Sequence, residues 1–423
     1  MSHVASYYAA TANPSPRRPA LADGVDADVC VVGGGIAGCA AALELAERGY
    51  RVVLLEAQRI AWGASGRSGG QAIFGYGTSQ ASLVAQVGRE SARLLWDISI
   101  EALELLRTRV ARHGIDCDLH WGHAHVAVKA RQRDELLSLQ RQLEDDYDYR
   151  SLRFLDRDEI QSLLATRRYV AGLYDSGSGH VHPLNYTLGL AAAAEAAGVR
   201  IFEASPVTEV EPGEPLRVRT PHGCVTARFA VLSRGGYVNG LRSPTDWRIM
   251  PVGTYVCATE VLGESRLRAL MRENVAVADI NFVLDYFRGS ADHRLLFGGR
   301  VSYSGINERD TGHATRTRML KVFPQLSDAR LEFVWGGYVD ITMNRAPDFG
   351  RLGSNVYYLQ GFSGHGIALS GMAGRLAAEA IAGQAERFDL FGRLRHPIFP
   401  GGRTLRTPAL VLAMSWFRMR DLL

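Results

Sequence analysis

The chain has 423 residues, of which 47% are hydrophobic and 22% charged, and its formal net charge is +4. This length exceeds a single simple core and predicts two domains, while the composition is that of an ordinary globular protein. Lys129 and Lys321 are its two lysines, so the basic residues are almost all arginine. Because no basic run with interleaved aromatic residues occurs, the sequence does not indicate nucleic-acid binding.

Two strand patterns flank a helical pattern near the N-terminus. Residues 1–25 are polar and contain several prolines, which predicts an extended arm. Residues 28–33 form a short β-branched run typical of a buried strand, and residues 36–48 are alanine-rich and predict a helix. Residues 51–56 predict a second apolar strand. The unit has the size expected of one βαβ crossover.

Helical and strand patterns alternate through the rest of the chain. Helices are predicted over 84–112, 131–146, 186–197, 315–322 and 367–381, with another helical stretch beginning at Ile160. Strands are predicted over 170–174, 200–202, 207–210, 216–218, 224–227, 229–233, 254–260, 295–299, 334–337 and 356–359. The first and last thirds are therefore typical of an α/β fold, and the middle third is typical of an antiparallel sheet.

The cysteines indicate neither a disulfide framework nor a metal site. Five are present and they are scattered without a CxxC pair, at Cys30, Cys39, Cys117, Cys224 and Cys257. An odd, scattered set predicts free thiols in a reducing cytosol, and so a cytoplasmic protein without a metal.

No targeting or membrane-spanning segment is predicted. The N-terminus lacks a charged region followed by an apolar run, and no apolar stretch reaches the ~18 residues of a spanning helix. Residues 408–414 are apolar but too short to span a bilayer. They are expected to dock on the body of the protein or, as the alternative, to touch a membrane surface.

Three glycines and one acid form a dinucleotide fingerprint in the first βαβ unit. Gly33 permits the tight turn after the first strand, Gly35 lets a pyrophosphate approach the backbone, and Gly38 lets the helix pack close to the sheet. The N-terminus of the helix then offers free N–H groups to the phosphates. Glu56 lies at the end of the second strand, where a carboxylate accepts ribose hydroxyls.

Two further glycine-rich segments favour FAD over NAD. Ala64–Gln71 follows Glu56 closely, and Gly361–Gly366 directly precedes a helix whose N-terminus can stabilise negative charge on a reduced flavin. The residues predicted to contact FAD are Gly33, Gly35, Ile36, Ala37, Gly38, Glu56, Ala57, Ala64, Ser65, Arg67, Ser68, Gly69, Gly70, Gln71, Val207, Ser233, Gly361, Phe362, Ser363, Gly364, His365, Gly366 and Ile367.

Because the first and last segments both reach one cofactor, the nucleotide domain is predicted to be discontinuous. The expected fold class is α/β with an α+β second domain. A Rossmann-type FAD-binding domain would be formed by residues 1–85, 150–240 and 335–423. A mainly antiparallel substrate-binding domain, formed by residues 86–149 and 241–334, would be inserted into it.

The sequence resembles the FAD-dependent amine and amino-acid oxidases of the D-amino-acid oxidase, sarcosine oxidase and glycine oxidase superfamily. Within it, the chain is most similar to the γ-glutamylputrescine oxidoreductase group, and the resemblance covers nearly the whole chain. The segments that carry it are Ser6–Ala10, Asp28–Gly77 with its ASGRSGGQ motif, Gly179–Asn185, Tyr357–Gly366, Ala385–Asp389 and Phe399–Gly402.

The resemblance implies oxidation of a C–N bond. A hydride would pass from the carbon next to a neutral amine to the flavin, the imine would hydrolyse, and oxygen would be reduced to hydrogen peroxide. Related α-amino-acid oxidases hold the substrate carboxylate with an arginine after a Trp-x-Gly segment, but Trp335–Asp340 contains none. The cysteine that links flavin in monomeric sarcosine oxidases is also missing, so FAD is expected to be non-covalent.

Four residues are candidates for substrate and catalytic roles. Arg300 and Arg345 are candidates to bind a substrate carboxylate, with structural ion pairs as the alternative. His365 is expected near the flavin as a proton relay or charge stabiliser. Tyr286, with Phe287, is expected to wall an apolar substrate pocket.

Several other residues are weaker candidates for these roles. The flavin-adjacent lysine of some relatives has no counterpart, which leaves Arg67, Arg300 or His365 to supply positive charge. Packing or turn roles are expected for Tyr255, Tyr338, His180 and His182.

Three functions are compatible with these features. The first is an oxidase acting on a carboxylate-bearing primary or secondary amine, either a γ-glutamylputrescine-like amine or an N-substituted glycine. The second is a dehydrogenase that passes electrons to a quinone or an electron-transfer partner. The third is a non-catalytic flavin-binding redox sensor.

Overall fold

Two β-sheets with flanking helices organise the chain. The computed structural model describes residues 2–237, 241, 243–302 and 308–399, with backbone alone at 300–302 and 308–310. The strands are β1 (Gly24–Val32), β2 (Val52–Leu55), β3 (Gln71–Ala72), β4 (His120–Ala127), β5 (Leu152–Leu155), β6 (Ala171–His180), β7 (Arg200–Phe202), β8 (Glu209–Glu211), β9 (Leu216–Arg219), β10 (Cys224–Leu232), β11 (Ile249–Thr259), β12 (Ala276–Asp279), β13 (Tyr286–Gly289), β14 (Leu295–Ser302), β15 (Leu331–Thr342), β16 (Asp348–Leu352) and β17 (Val356–Gln360). The α-helices are α1 (Tyr7–Ala10), α2 (Ile36–Glu47), α3 (Gln80–Arg112), α4 (Ala130–Tyr147), α5 (Arg157–Leu163), α6 (Pro183–Ala196), α7 (Glu264–Leu270), α8 (Glu308–Val322), α9 (Gly366–Ile381) and α10 (Glu386–Gly392).

The first sheet is a Rossmann-type sheet in the order β16-β17-β10-β1-β2-β7. Strand β1 pairs in parallel with both β10 and β2, and β2 pairs in parallel with β7. Parallel strands are covered on both faces, which explains why the second half of β1 and all of β2 are buried. The predicted α/β fold class is confirmed.

This first sheet is assembled from distant parts of the chain. Strands β1 and β2 precede residue 56, β7 to β10 lie between residues 200 and 232, and β16 and β17 follow residue 347. Helix α9 packs against α2 so closely that a Cβ on Gly374 would lie 2.5 Å from the nitrogen of Ala41 and 2.7 Å from the oxygen of Ala37. The C-terminal helix therefore supports the helix that follows the glycine fingerprint.

The second sheet has the order β15-β11-β14-β13-β12-β4-β6-β3 and is mainly antiparallel, although β12 and β4 pair in parallel. Strands β5 and β6 belong to it, as does all of β15. The sequence-based boundaries, which gave 150–240 and 335–423 to the FAD-binding domain, had instead placed β5, β6 and most of β15 there. The difference arises because β6 pairs with β4, some fifty residues away in sequence, and local patterning carries no sign of that partner.

The N-terminal arm was predicted incorrectly as extended throughout. Tyr7–Ala10 form one helical turn, capped by Ser6 Oγ, which accepts the N–H of Ala9 at 3.1 Å. Tyr8 is fully buried, and its ring lies edge-on to Trp335 at 5.3 Å between centroids. Long-range aromatic packing therefore orders a segment whose polar, proline-containing composition had suggested an extended arm.

Two helix boundaries also differ from the sequence prediction because of caps. Helix α6 begins at Pro183 rather than Tyr186, since the His182 ring accepts the N–H of Asn185 at Nδ1, 3.1 Å away. Helix α5 begins at Arg157 rather than Ile160, because Asp156 and Glu159 form a capping box at its start. The D-x-x-E spacing of that box was a readable signal.

All five cysteines are free thiols. Among the described residues, no helix is both long and apolar enough to cross a membrane. The apolar run 408–414 lies outside the described residues.

A buried ion pair should contribute measurably to stability. Arg109 is 3% exposed, and its guanidinium lies 2.8 Å from Glu44 and donates to the carbonyl of Gly371. We expect Arg109→Met to lower the free energy of unfolding by about 2 kcal/mol, because it removes one of the two arginines paired with the buried Glu44 carboxylate and leaves Arg48. Arg112→Met on the same helix removes an exposed pair with Glu47 and should cost under about 1 kcal/mol in urea unfolding.

Candidate active site

A cavity of about 1040 Å³ opens between the two sheets. Gly33 and Glu56, at the carboxyl ends of β1 and β2, form one side of it. Tyr286 and Asp340, from the second sheet, belong to the other side. Ligands of open α/β sheets bind at the carboxyl ends of the strands, so the position of this cavity suits a cofactor site.

The glycine fingerprint forms a turn that no larger residues could form. Gly33 has a φ of +107°, which side chains rarely adopt, and a Cβ there would lie 2.6 Å from the oxygen of Ser233. A Cβ on Gly38 would overlap the carbonyl oxygen of Gly33, so this glycine serves the packing of helix against strand. Gly35 is the N-cap of α2 and faces the cavity, and Ser65 Oγ accepts the N–H of Ile36 at 3.0 Å. The first turn of α2 therefore lies at the cavity, with one of its N–H groups held by Ser65.

Glu56 is held rigidly at the end of β2. Its Oε2 accepts the N–H of Gly34 at 2.6 Å, and its Oε1 accepts that of Gln58 at 2.8 Å. Burial raises the pKa of the Glu56 carboxyl, and the Gly34 and Gln58 N–H groups oppose that shift. Each carboxylate oxygen keeps a second lone pair, so the group can also accept hydroxyl donors.

The ASGRSGGQ segment lies along the same cavity, except for Gly66 and Arg67. Ala64, Ser65, Ser68 and Gly69 to Gln71 line it. Arg67 instead packs between two aromatic rings, with its guanidinium carbon 4.2 Å from the centroid of Trp62 and 5.6 Å from that of Tyr237. Its Nε donates to the carbonyl of Trp62 at 2.7 Å. Arg67 thus fastens the loop and does not itself line the cavity.

The turn before α9 forms the opposite end of the cavity. Gly361, Ser363 and Gly364 all have φ between +51° and +92°, and Gly364 to Ile367 line the cavity. Helix α9 begins after His365 without a side-chain cap. The cavity therefore receives the N-termini of two helices, α2 and α9.

Asp340 holds this turn in place, and sequence reasoning missed it. Its Oδ2 accepts the N–H of Gly361 at 2.6 Å, and its backbone carbonyl accepts the N–H of Ser363 at 3.0 Å. Burial raises the pKa of the Asp340 carboxyl to about 6, against the opposing effect of hydrogen bonds from Gly361 and Phe362. A lone acid within a strand gave no sequence signal of a partner 21 residues later.

His365 is neutral in this environment. Burial, followed by the charge of Arg345, lowers the pKa of His365 to about 3. Its Nδ1 is buried and has no hydrogen-bond partner among the described residues. His365 therefore lines the cavity, as expected, but burial opposes the suggested role of a positively charged stabiliser.

Arg345 brings a cation to the cavity wall. Its guanidinium carbon lies 5.5 Å from the Phe282 ring centroid, and its backbone has a φ of +59°, uncommon for a residue with a side chain. Arg234 also lines the cavity, but it is paired with Asp246 at 2.9 Å. Arg300 belongs to β14, where its backbone pairs with Tyr255 of β11. The side chain of Arg300 is not among the described parts of the chain.

The predicted aromatic wall is only partly present. Tyr286 lines the cavity and packs on Gly69, where a Cβ would lie 2.5 Å from its ring. Phe287 was predicted incorrectly as a wall residue, because the alternation of β13 turns it into the second core, 5.8 Å from Phe297. Tyr338 is 48% exposed and packs on Tyr237.

Other cavity residues were not anticipated. His125, Asn281, Phe282, Met250 and Met343 line the cavity in addition to the predicted Val207 and Ser233. The alternating histidines of β4 were a possible signal for His125. In the described ranges, no group of three or more His, Cys, Asp or Glu side chains could hold a metal ion.

These features fit FAD. The glycine turn and the N-terminus of α2, with Ser65 beside it, suit a pyrophosphate, and the uncapped N-terminus of α9 suits a ring system that gains negative charge. Ser68 Oγ and His365 Nδ1 are buried polar atoms that lack a partner in the described part of the chain, as expected where a ligand completes the hydrogen bonding. All five cysteines lie away from the cavity lining, which offers no thiol for a covalent link.

The chain belongs to the DAO family of FAD dependent oxidoreductases, whose match covers residues 28–380. It is 42% identical over 422 residues to the γ-glutamylputrescine oxidoreductase of Escherichia coli K12, covering 99% of this chain and 98% of that protein. It is 39% identical to the probable oxidoreductase OrdL of Haemophilus influenzae, covering 99% and 97%. The solved glycine oxidase of Geobacillus kaustophilus shares the fold, with a TM-score of 0.74, 22% identity and coverage of 88% and 100%. FAD is therefore the cofactor, and the protein is an oxidoreductase.

The close packing at Gly38 generates a direct prediction. Gly38→Ala should abolish FAD loading, because the added Cβ would overlap the Gly33 carbonyl and displace the turn at the head of α2. Flavin absorbance relative to protein absorbance measures the loading. Gly24→Ala is the matched control, since a Cβ there meets nothing within 4 Å. Full FAD content in the Gly38→Ala protein would contradict the proposed turn.

Asp340 predicts a pH dependence of apoprotein stability. Its pKa is about 6 when folded and 3.8 in the reference state. The folded form therefore binds the proton more tightly, and the associated stability, present below pH ~4, is lost as the pH rises through about 6. Relative to the unmodified protein, Asp340→Asn should gain about 3 kcal/mol between pH 4 and pH 7 in urea unfolding. The exposed Asp134→Asn serves as the control, and parallel pH profiles for both variants would refute the assignment.

Proposed function

We propose that this oxidoreductase oxidises the C–N bond of a carboxylate-bearing amine to an imine that hydrolyses, with oxygen reduced to hydrogen peroxide. A γ-glutamylputrescine-like amine is the preferred substrate class, and an N-substituted glycine is the alternative. The full-length similarity to a γ-glutamylputrescine oxidoreductase supports the first over the second. A cytoplasmic location remains a prediction.

One observation carries the proposed substrate class. Relatives that act on free α-amino acids use an arginine in the segment that corresponds to Trp335–Asp340, which lacks one here. Arg345 lies on the cavity wall beyond the end of this strand, beside Phe282 and close enough to lower the pKa of His365. A carboxylate held by Arg345 would therefore sit at a different position from that of a free amino acid, which suits a longer amine.

The cofactor end of the site would be held by the first and last segments of the chain. The N-terminus of α2 and Ser65 beside it would bind the pyrophosphate, and Glu56 would accept the ribose hydroxyls. The Gly69–Gln71 end of the same loop leads into β3, which contacts α9, so it would lie along the flavin. The Gly364–Ile367 turn would face the flavin ring, with its position fixed by Asp340. Bound FAD supplies the hydride acceptor for the carbon next to the amine.

The remaining residues would orient the substrate and hold its amine. The Arg345 guanidinium would bind the carboxylate, and Tyr286 and Phe282 would exclude water from the reacting carbon. Because His365 is neutral, its unpartnered Nδ1 can accept a hydrogen bond from the neutral substrate amine. The lowered pKa makes the ring a poor base for a substrate ammonium, so the amine would bind in its neutral form.

Anaerobic flavin reduction with an amine panel tests the proposal. We expect γ-glutamylputrescine to bleach the flavin at lower concentration than putrescine, which lacks the carboxylate, or N-methylglycine. Peroxide formed on readmitting oxygen would identify an oxidase, whereas fast turnover only with an artificial acceptor would identify a dehydrogenase. If no amine reduces the flavin, the proposal fails.

A substitution of Arg345 tests whether this residue binds the substrate carboxylate. Arg345→Met should raise the KM for the carboxylate-bearing amine about thirtyfold, since a charged hydrogen bond contributes about 2 kcal/mol. The KM for putrescine should stay unchanged, because it has no carboxylate to lose. Arg330→Met removes an arginine whose side chain is 84% exposed and serves as the matched control. Equal effects on both amines would show that Arg345 does not bind the carboxylate.

A further inference from the structure

A buried arginine lies directly behind the glycine loop at the cavity wall. Arg288 on β13 is 3% exposed, and every one of its five N–H groups has an acceptor. The acceptors are all uncharged: Gly69 O at 3.0 Å from Nε, Gly289 O at 3.1 Å and His180 Nδ1 at 3.4 Å from Nη1, and Val181 O at 2.9 Å and Tyr8 OH at 3.1 Å from Nη2.

The charge of Arg288 is not neutralised by an ion pair within the described part of the chain. The nearest acids along the chain are Asp285, which is paired with Arg318 at 2.6 Å, and Asp292, which is paired with Arg294 at 2.7 Å. The pKa of Asp118 is raised mainly by burial and by Asp116, with Arg288 only a weaker opposing influence. His180 stays neutral, because burial and then the charge of Arg288 lower its pKa. A guanidinium is charged at any physiological pH, so a full positive charge remains in the interior.

Only one layer of backbone separates this charge from the cavity. Gly69, Gly70 and Tyr286 line the cavity, and a Cβ on Gly70 would lie 3.1 Å from Arg288 Nη2. Tyr286 and Arg288 are two residues apart on β13, so their side chains lie on the same face of the strand and both contact the Gly69–Gly70 segment. Since all five donors are occupied, Arg288 acts on the cavity through its field and not through contact.

A cation without a counter-charge is costly to bury, and its field extends further in a low-dielectric interior than in water. Two-electron reduction of FAD with uptake of one proton leaves one negative charge on the flavin. We propose that Arg288 is the fixed positive charge that stabilises the reduced flavin in this protein and thereby raises the midpoint potential of the bound FAD. This role falls to a residue outside the set suggested by the sequence, and it does not depend on which substrate is oxidised.

The midpoint potential of the bound FAD, measured anaerobically against a reference dye, tests the proposal without any amine. Arg288→Gln should make the reduction equilibrium about tenfold less favourable, which is about 30 mV more negative for a two-electron couple. Arg288→Lys loses most of the hydrogen bonds but keeps the charge, and it should stay close to the unmodified protein. Arg294→Gln removes the same formal charge from an arginine that is 8% exposed and paired with Asp292 and Glu332, and it should leave the potential unchanged.

The pattern across the variants separates charge from structure. A potential that follows the charge, lowered in Arg288→Gln and retained in Arg288→Lys, supports the proposal. An unchanged potential in Arg288→Gln, or an equal fall in both variants, overturns it. Should neither Arg288→Gln nor Arg288→Met retain FAD, normal loading and potential in Arg288→Lys still support the role of the charge. Loss of FAD from Arg288→Lys as well would show that the hydrogen bonds matter and would contradict it.

Discussion

The carbonyl oxygen of Gly33 occupies space that a side chain at position 38 would need, and most of the site depends on this close approach. It lets α2 begin directly after the end of β1, so that the N-terminus of the helix opens into the cavity beside Ser65. Helix α9 packs closely against α2 at Gly374, and this packing places the N-terminus of α9 at the opposite end of the cavity. Small residues at three points thus place two positive dipole ends around one elongated cofactor.

The cavity also depends on buried ionisable groups whose charge is set by their surroundings. His365 is kept neutral by burial and by Arg345, whereas Asp340 is held at the cavity wall by backbone N–H groups that partly offset its desolvation. Arg288 keeps its full charge because five uncharged acceptors satisfy it. Each of these groups uses the low dielectric of the interior to act more strongly than it could at a surface.

The sequence was sufficient for the parts of the structure with a local signature. The βαβ unit was predictable from Gly33, Gly35, Gly38 and Glu56, because each of them meets a local structural need of that unit and all lie in one short segment. The long-range features were not predictable in this way. The pairing of β6 with β4 and the contact of Asp340 with Gly361 join residues far apart in the chain.

One FAD molecule would contact both the first and the last segments of the chain. Hydrogen exchange measured on the apoprotein with and without added FAD tests this arrangement, because bound phosphates and ring should protect the amides they face. We expect slower exchange both at Gly34–Ala37 and at Gly364–Ile367 on FAD addition. Protection confined to Gly34–Ala37, with the turn before α9 exchanging as in the apoprotein, would contradict it.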